Sequence, residues 1–239
     1  KLAEIFFDDT HMSDNSVDDG INSLIQLFTC ARKYNIQYRL GKCRFLVSQC
    51  QLLGFVVGDF GRKVDPEKTA QLQAWPPYEK CADIVSHVAF CQYLREFYGP
   101  EFPIRTKCLR KYSKKGADFA QYAADVEAQG ARDWLTTKTI NEVVLSSPDW
   151  AAAAAPWDSG RPFEPFYDAS DEQWCVCLTQ RGEPDGCPRP IGIIARAFDD
   201  VATRWSAFER EFFALREGTN AIRKWTQGFR LFARFDHKN

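Results

Sequence analysis

Five carboxylates stand at positions where a carboxylate needs an explanation. Asp8 and Asp9 follow the apolar run Ile5-Phe6-Phe7, Asp168 closes EPFY, Asp236 closes RLFARF, and Glu211 lies inside SAFEREFFAL. Adjacent carboxylates repel unless a positive charge sits between them. Asp8 and Asp9 therefore form either the floor of a divalent-cation site or two residues of a turn, where aspartate is common. Composition and spacing alone favour the turn.

Glu211 is the sharper case. It lies three residues after Phe208 and four before Leu215. With Phe208, Phe212 and Leu215 as the apolar stripe of a helix, Glu211 falls on the inward face. A carboxylate there must be paired (Arg204 or Arg234 are in reach), protonated, or bound to a cation. If Asp168, Glu211 and Asp236 converge, they present the hard oxygen donors that Mg²⁺, or Mn²⁺, prefers.

These residues need elements to hold them. Residues 2–7 read as a strand and 8–10 as a turn. Val17, Ile21, Leu24, Phe28 and Ala31 recur at helical spacing behind Ser16, a capping residue type, with Asp18 and Asp19 in the first turn. The segment 43–64 reads as short strands punctuated by Gly54, Gly58 and Gly61. Asp65-Pro66-Glu67 opens a helix that Pro76-Pro77 must stop near Trp75. Further helices are expected over 82–98, 117–128 and 131–145. The run Ala151–Ala155 reads as a linker. From residue 161 the pattern is strand, strand, glycine- and proline-rich loop 181–190, strand, long helix ending near Gly228, and a final strand over FRLFARFD. Cys175 and Cys177 share one face of the second of these strands, and core packing is expected of them. The fold class expected is α+β or α/β.

Bulk properties limit the function. The chain has 239 residues, 45% of them hydrophobic, which suits a packed globular protein. A formal net charge of -1 supplies no global field for nucleic acid. A local patch could come from Arg105, Lys107, Arg110, Lys111, Lys114 and Lys115, a run that could equally be a solvated face or loop. The nine cysteines include no Cys-x-x-Cys pair, so zinc-type spacing is absent. Free thiols suit a reducing intracellular compartment, cytoplasm or nucleus. No apolar run reaches membrane-spanning length and no signal peptide is visible. The chain begins at Lys1 rather than Met, as a fragment or a processed product would.

The order of motifs resembles the Pol polyprotein of gypsy-type long-terminal-repeat retrotransposons. FFDDTHMSDN resembles the Tyr-x-Asp-Asp hairpin of reverse transcriptases. GKCRF, LLGFVV, VDPEK, WPP and FCQYLREFY follow in the family's order through palm and thumb. FYDASDEQW, PIGIIARAF, RWSAFEREFFAL and FDHKN resemble successive segments of the attached ribonuclease H domain. The resemblance implies the end of a palm at 1–62, a thumb-like helical region at 63–130, a connection at 131–160, and a truncated ribonuclease H-like mixed sheet with helix at 161–239.

It also implies roles. Asp8 and Asp9 match the paired polymerase aspartates, and Leu52, Leu53 and Gly54 match the primer grip. Asp168, Glu211 and Asp236 match three ribonuclease H carboxylates. The chemistry implied is two-metal phosphoryl transfer with Mg²⁺ or Mn²⁺ on an RNA template and an RNA–DNA hybrid. The family's third polymerase aspartate would precede Lys1, and its last ribonuclease H carboxylate would follow Asn239. Gln173 and Cys175 replace two small glycines of the family pattern. A second function therefore stands beside the enzyme: a retroelement-derived structural or interaction subunit of a larger assembly, with other protein subunits as partners. An unrelated α/β protein is the third.

Overall fold

The computed structural model describes residues 4–6, 9–14, 16–114, 116–156, 158–183 and 185–235, with only the backbone of 4–6 and 9. Asp8, Lys115 and Asp236 lie outside the described residues. The chain divides into two compact units, Lys1–Cys50 and Gln51–Asn239.

In the first unit, β1 (Glu4–Phe6) and β2 (Asp9–His11) pair antiparallel, with Phe6 opposite Asp9. Asp9 thus opens a strand instead of lying in a turn over 8–10. Helix α1 (Val17–Lys33) follows, its Asp19 N–H donating to Ser16 Oγ at 3.1 Å. Asp18 and Asp19 in its first turn and Arg32 and Lys33 in its last complement the helix dipole. Its apolar stripe is largely exposed, and within the helix only Gly20 and Ala31 are buried. Phe28 packs edge-on against Tyr38 and Phe45, at centroid distances of 6.0 and 6.1 Å.

Strands β3 (Gln49–Leu52), β4 (Phe55–Gly58) and β5 (Gly61–Val64) form a three-stranded sheet in that order. Helix α2 (Pro66–Gln73) starts as expected, the Glu67 N–H donating to Asp65 at 2.9 Å. The helix expected over 82–98 is two segments, α3 (Cys81–Tyr93) and α4 (Arg95–Tyr98). Next come α5 (Phe102–Arg105), a 3-10 stretch (Lys107–Ser113), α6 (Phe119–Ala123) and α7 (Val126–Thr137). The helices expected over 117–128 and 131–145 break differently because Asp118 and Asp125 each cap a helix of their own. Leu72, Ile84, Leu94, Tyr98, Leu109 and Leu135 fill the core beneath them.

His87 lies wholly inside this core, stacked on Trp75 at 4.4 Å and hydrogen-bonded through Nδ1 to Tyr78 Oη at 2.5 Å. Burial, with the nearby Arg132 guanidinium adding, pushes its pKa down to about 4.

The alanine run is a helix and not a linker. In α8 (Trp150–Ala154), the Ala152 N–H donates to Asp149 Oδ1 at 3.0 Å, and Ala153 is buried. Alanine is the strongest helix former, and one capping aspartate suffices to start it. Then β6 (Phe163–Ala169), β7 (Gln173–Arg181) and β8 (Pro188–Ala197) form an antiparallel meander. Helix α9 (Ala207–Thr226) leads to β9 (Arg234–Phe235), which pairs parallel to β6. The sheet order is β8-β7-β6-β9, a mixed sheet in an α+β fold. Among the described residues the final strand begins at Arg234, later than the expected start at Phe229.

Candidate nucleic-acid and metal site

Helix α9 is seated on β6 and β7 by a glycine. A Cβ on Gly218 would lie 2.9 Å from the Tyr167 ring and 3.1 Å from Val176 Cβ, so only glycine permits this approach. Tyr167 Oη and Thr219 Oγ1 share a hydrogen bond of 2.8 Å at the same place. The buried stripe of α9 is Ala214, Gly218, Ile222 and Thr226. Phe208 and Phe212 are 69% and 61% exposed, so the expected Phe208–Phe212–Leu215 stripe is wrong. Glu211 nevertheless lies on the inner face, three before Ala214 and seven before Gly218, and is half-buried. Small residues rather than bulky ones face the sheet because the helix must come close to Tyr167.

Asp168 follows Tyr167 on β6. The pleat turns successive side chains to opposite faces, so Asp168 lies on the face away from α9. It is exposed and makes no ion pair with the described residues. Arg210 donates to Asp171, in the β6–β7 turn, and to the Trp205 carbonyl at 2.8 Å. That contact fixes the N-terminal half of α9 at the end of the sheet where β6 stops. Asp168 and Glu211 therefore lie at the same end of the sheet, Glu211 on the side that α9 covers and Asp168 on the other. The β6–β9 register runs through Tyr167–Phe235, and Asp236 lies beyond the described residues.

Carboxylate oxygens on an exposed strand end suit a hard divalent cation in donor chemistry. Among the described residues, no group of three His, Cys, Asp or Glu is placed to hold a metal ion. Cys175 sits directly across from Asp168 in the β6–β7 register. Burial, with Cys177 and Asp168 adding, pushes its thiol up to about 12. Cys177 is likewise raised by burial. The buried face of β7 is Trp174, Val176 and Leu178, so the two cysteines occupy its other, half-buried face. Both thiols stay protonated at neutral pH.

One charged network escaped the sequence reading. Glu164, 4% exposed, is held by Arg181 Nε at 2.6 Å and by Arg234 Nη2 at 3.2 Å. Arg234, a candidate partner for Glu211, is thus engaged by Glu164. A glutamate between apolar strand residues was the available signal.

The primer-grip positions form a tight turn. Leu53 and Gly54 both have positive φ, 51° and 77°, and join β3 to β4. Two such residues make the hairpin turn that suits strand twist. A leucine there is strained, by roughly 1–2 kcal/mol. The Tyr93 hydroxyl donates to its carbonyl.

The basic run does not act as one surface. Lys111 is 2.5 Å from Asp125, which also accepts from Tyr112 Oη at 2.7 Å. These two bonds, Lys111 first, with the Ala128 N–H, hold the Asp125 carboxyl down at about 2. Arg105, Lys107, Arg110 and Lys114 are exposed.

Residues 158–239 match the family model of the RNase H-like domain found in reverse transcriptase. Along its length the chain is similar to retrovirus-related Pol polyproteins of Drosophila melanogaster transposons. It is 26% identical to that of transposon 297 over 241 residues, covering 100% of this chain, and 24% identical to that of gypsy over 251 residues, also covering 100%. The chain spans 21% and 22% of those polyproteins. It also shares its fold with foamy viral protease-reverse transcriptase. The match to the complex with double-stranded DNA has a TM-score of 0.77 at 15% identity, covering 99% of this chain and 39% of that one. The match to the complex with an RNA/DNA hybrid has a TM-score of 0.75 at 16% identity, covering 99% and 30%. No helix among the described residues is long and apolar enough to cross a membrane.

Proposed function

We propose that the chain is the part of an intracellular retroelement reverse transcriptase that runs from the end of the palm (1–62) through thumb (63–130) and connection (131–160) to the ribonuclease H-like domain (161–239). The domain hydrolyses the RNA strand of an RNA–DNA hybrid. The observation that supports this reading is that Asp168 and Glu211 lie at one end of the sheet within residues 158–239, the span similar to the RNase H-like domain family. Asp168 and Glu211, with Asp236, would hold Mg²⁺ or Mn²⁺. Bound there, the cation supplies an activated water and neutralises charge on the scissile phosphate. Glu211 is half-buried on a helix fixed by Gly218, so its carboxylate is positioned in advance. Asp168 is exposed, open to a phosphate backbone.

Asp8 and Asp9 take the polymerase aspartate roles in this proposal, and the Leu52-Leu53-Gly54 turn positions a primer end. The foamy viral enzyme of the same fold is described in complex with an RNA/DNA hybrid, which supports the substrate class.

The test is Mg²⁺-dependent cleavage of a labelled hybrid by the polyprotein extended beyond Asn239. Cleavage that Asp168→Asn and Glu211→Gln each abolish is expected. Equal cleavage by Asp168→Asn removes the proposal. One observation favours the second reading, a structural subunit: Cys175 stands beside Asp168 where the family pattern has a small residue. Absence of cleavage by the unsubstituted chain, restored by Cys175→Gly, would assign the loss to that thiol.

A further inference from the structure

A cleft of about 330 Å³ opens where the thumb-like helices meet the edge of the C-terminal sheet. Helices α4 and α5 pack on β8 there. Three arginines line it: Arg95 from α4, Arg110 from the 3-10 stretch, and Arg196 from β8. Its other walls are apolar or neutral, including Gln92 and Phe102, and no acidic residue lines it. None of the three arginines makes an ion pair or a side-chain hydrogen bond with the described residues. Arg196 instead lies over the Trp174 ring at 5.8 Å, which orients its guanidinium without neutralising it.

The surroundings add positive charge. Glu96, beside Arg95, is engaged by Arg62. Lys224 is lowered by burial first, with Arg62 and Arg95 adding to the effect and Glu96 opposing it. In a chain of net charge -1, three unpaired guanidiniums converging from three elements are a local concentration, not an average. Like charges so arranged repel, and an anion in the cleft removes that penalty. The guanidinium fork matches phosphate oxygens two at a time, so three forks suit more than one phosphate group.

We infer that the cleft between Arg95, Arg110 and Arg196 binds neighbouring phosphate groups, either successive phosphates of a nucleic-acid strand or a free oligophosphate. The site lies at the same end of the sheet as Asp168 but two strands away, on β8, where Ala195 pairs with Cys175 and Cys175 with Asp168. It needs no metal, so it does not rest on hybrid hydrolysis.

The test is calorimetric binding of inorganic tripolyphosphate to the chain in EDTA, where the proposed cleavage cannot contribute. Binding is expected, and Arg110→Gln and Arg196→Gln each weaken it about tenfold, the loss of a charge-assisted contact. Arg216→Gln, on the far exposed side of α9, leaves it unchanged. All three side chains are exposed, and unchanged thermal melting confirms that the substituted chains fold. Displacement of tripolyphosphate by an oligothymidylate assigns the site to a strand backbone, and failure to displace assigns it to a small anion. No binding of either probe, or undiminished binding by Arg110→Gln and Arg196→Gln, overturns the inference.

Discussion

The two ends of the chain carry the same local pattern and differ in what covers it. Each has a strand with aspartate at or near its end and an amphipathic helix further on. In the C-terminal part, α9 buries Ala214, Gly218 and Ile222 against a four-stranded sheet. In the first unit, Val17, Ile21 and Ile25 of α1 are 61%, 42% and 58% exposed. Amphipathic spacing therefore predicts a helix and its apolar stripe, but not whether that stripe is covered. Burial, not periodicity, supplies most of a helix's stability. Glu211, on the covered helix, is held in place, whereas Asp168 is exposed on the far face of β6 at the same end of the sheet; together they carry the functional proposal.

The largest effect that sharpens this comparison is in the covered helix. Ile222→Ala, at a site with no exposure, should cost about 3 kcal/mol in urea unfolding. The same change at Ile25 in α1 should cost less than about 0.5 kcal/mol. Equal losses would show that both helices are covered in solution.

Acid should act on the helical core around His87 next. His87 is neutral when folded, with its pKa lowered from 6.5 to about 4. Below pH 6.5 the unfolded chain takes up a proton that the folded chain does not. The contribution is therefore complete above about pH 6.5 and lost progressively as pH falls toward 4. At pH 5 it removes about 2 kcal/mol relative to pH 7, a difference that His87→Phe should abolish in thermal melts.

Glu164→Gln comes third, at about 1–2 kcal/mol. Its two arginine partners are partly exposed, so water screens part of the loss. The smallest effect is a gain. Leu53→Asn, which tolerates positive φ, should stabilise the chain by up to about 1 kcal/mol. No gain would mean that the turn is not strained at leucine.

Much of the fold is legible in the sequence, and the failures share a cause. Ser16 and Asp65 mark helix starts because capping is local chemistry. The stripe of α9 was misread because Phe208 and Phe212 look like core, whereas Tyr167 on another strand demands glycine opposite it. The alanine run was misread because a helix without bulky apolar residues shows no periodicity. Glu211 is on the inner face for a reason other than the one its neighbours suggested. Arg95, Arg110 and Arg196 are 101 residues apart at their extremes, and nothing local signals that they meet.

The most direct test sets the two ends against each other in one extended polyprotein, assayed for Mg²⁺-dependent hybrid cleavage and for primer extension. Asp168→Asn is expected to abolish cleavage and leave extension intact, and Asp9→Asn is expected to do the reverse. Cleavage that survives Asp168→Asn would contradict the account.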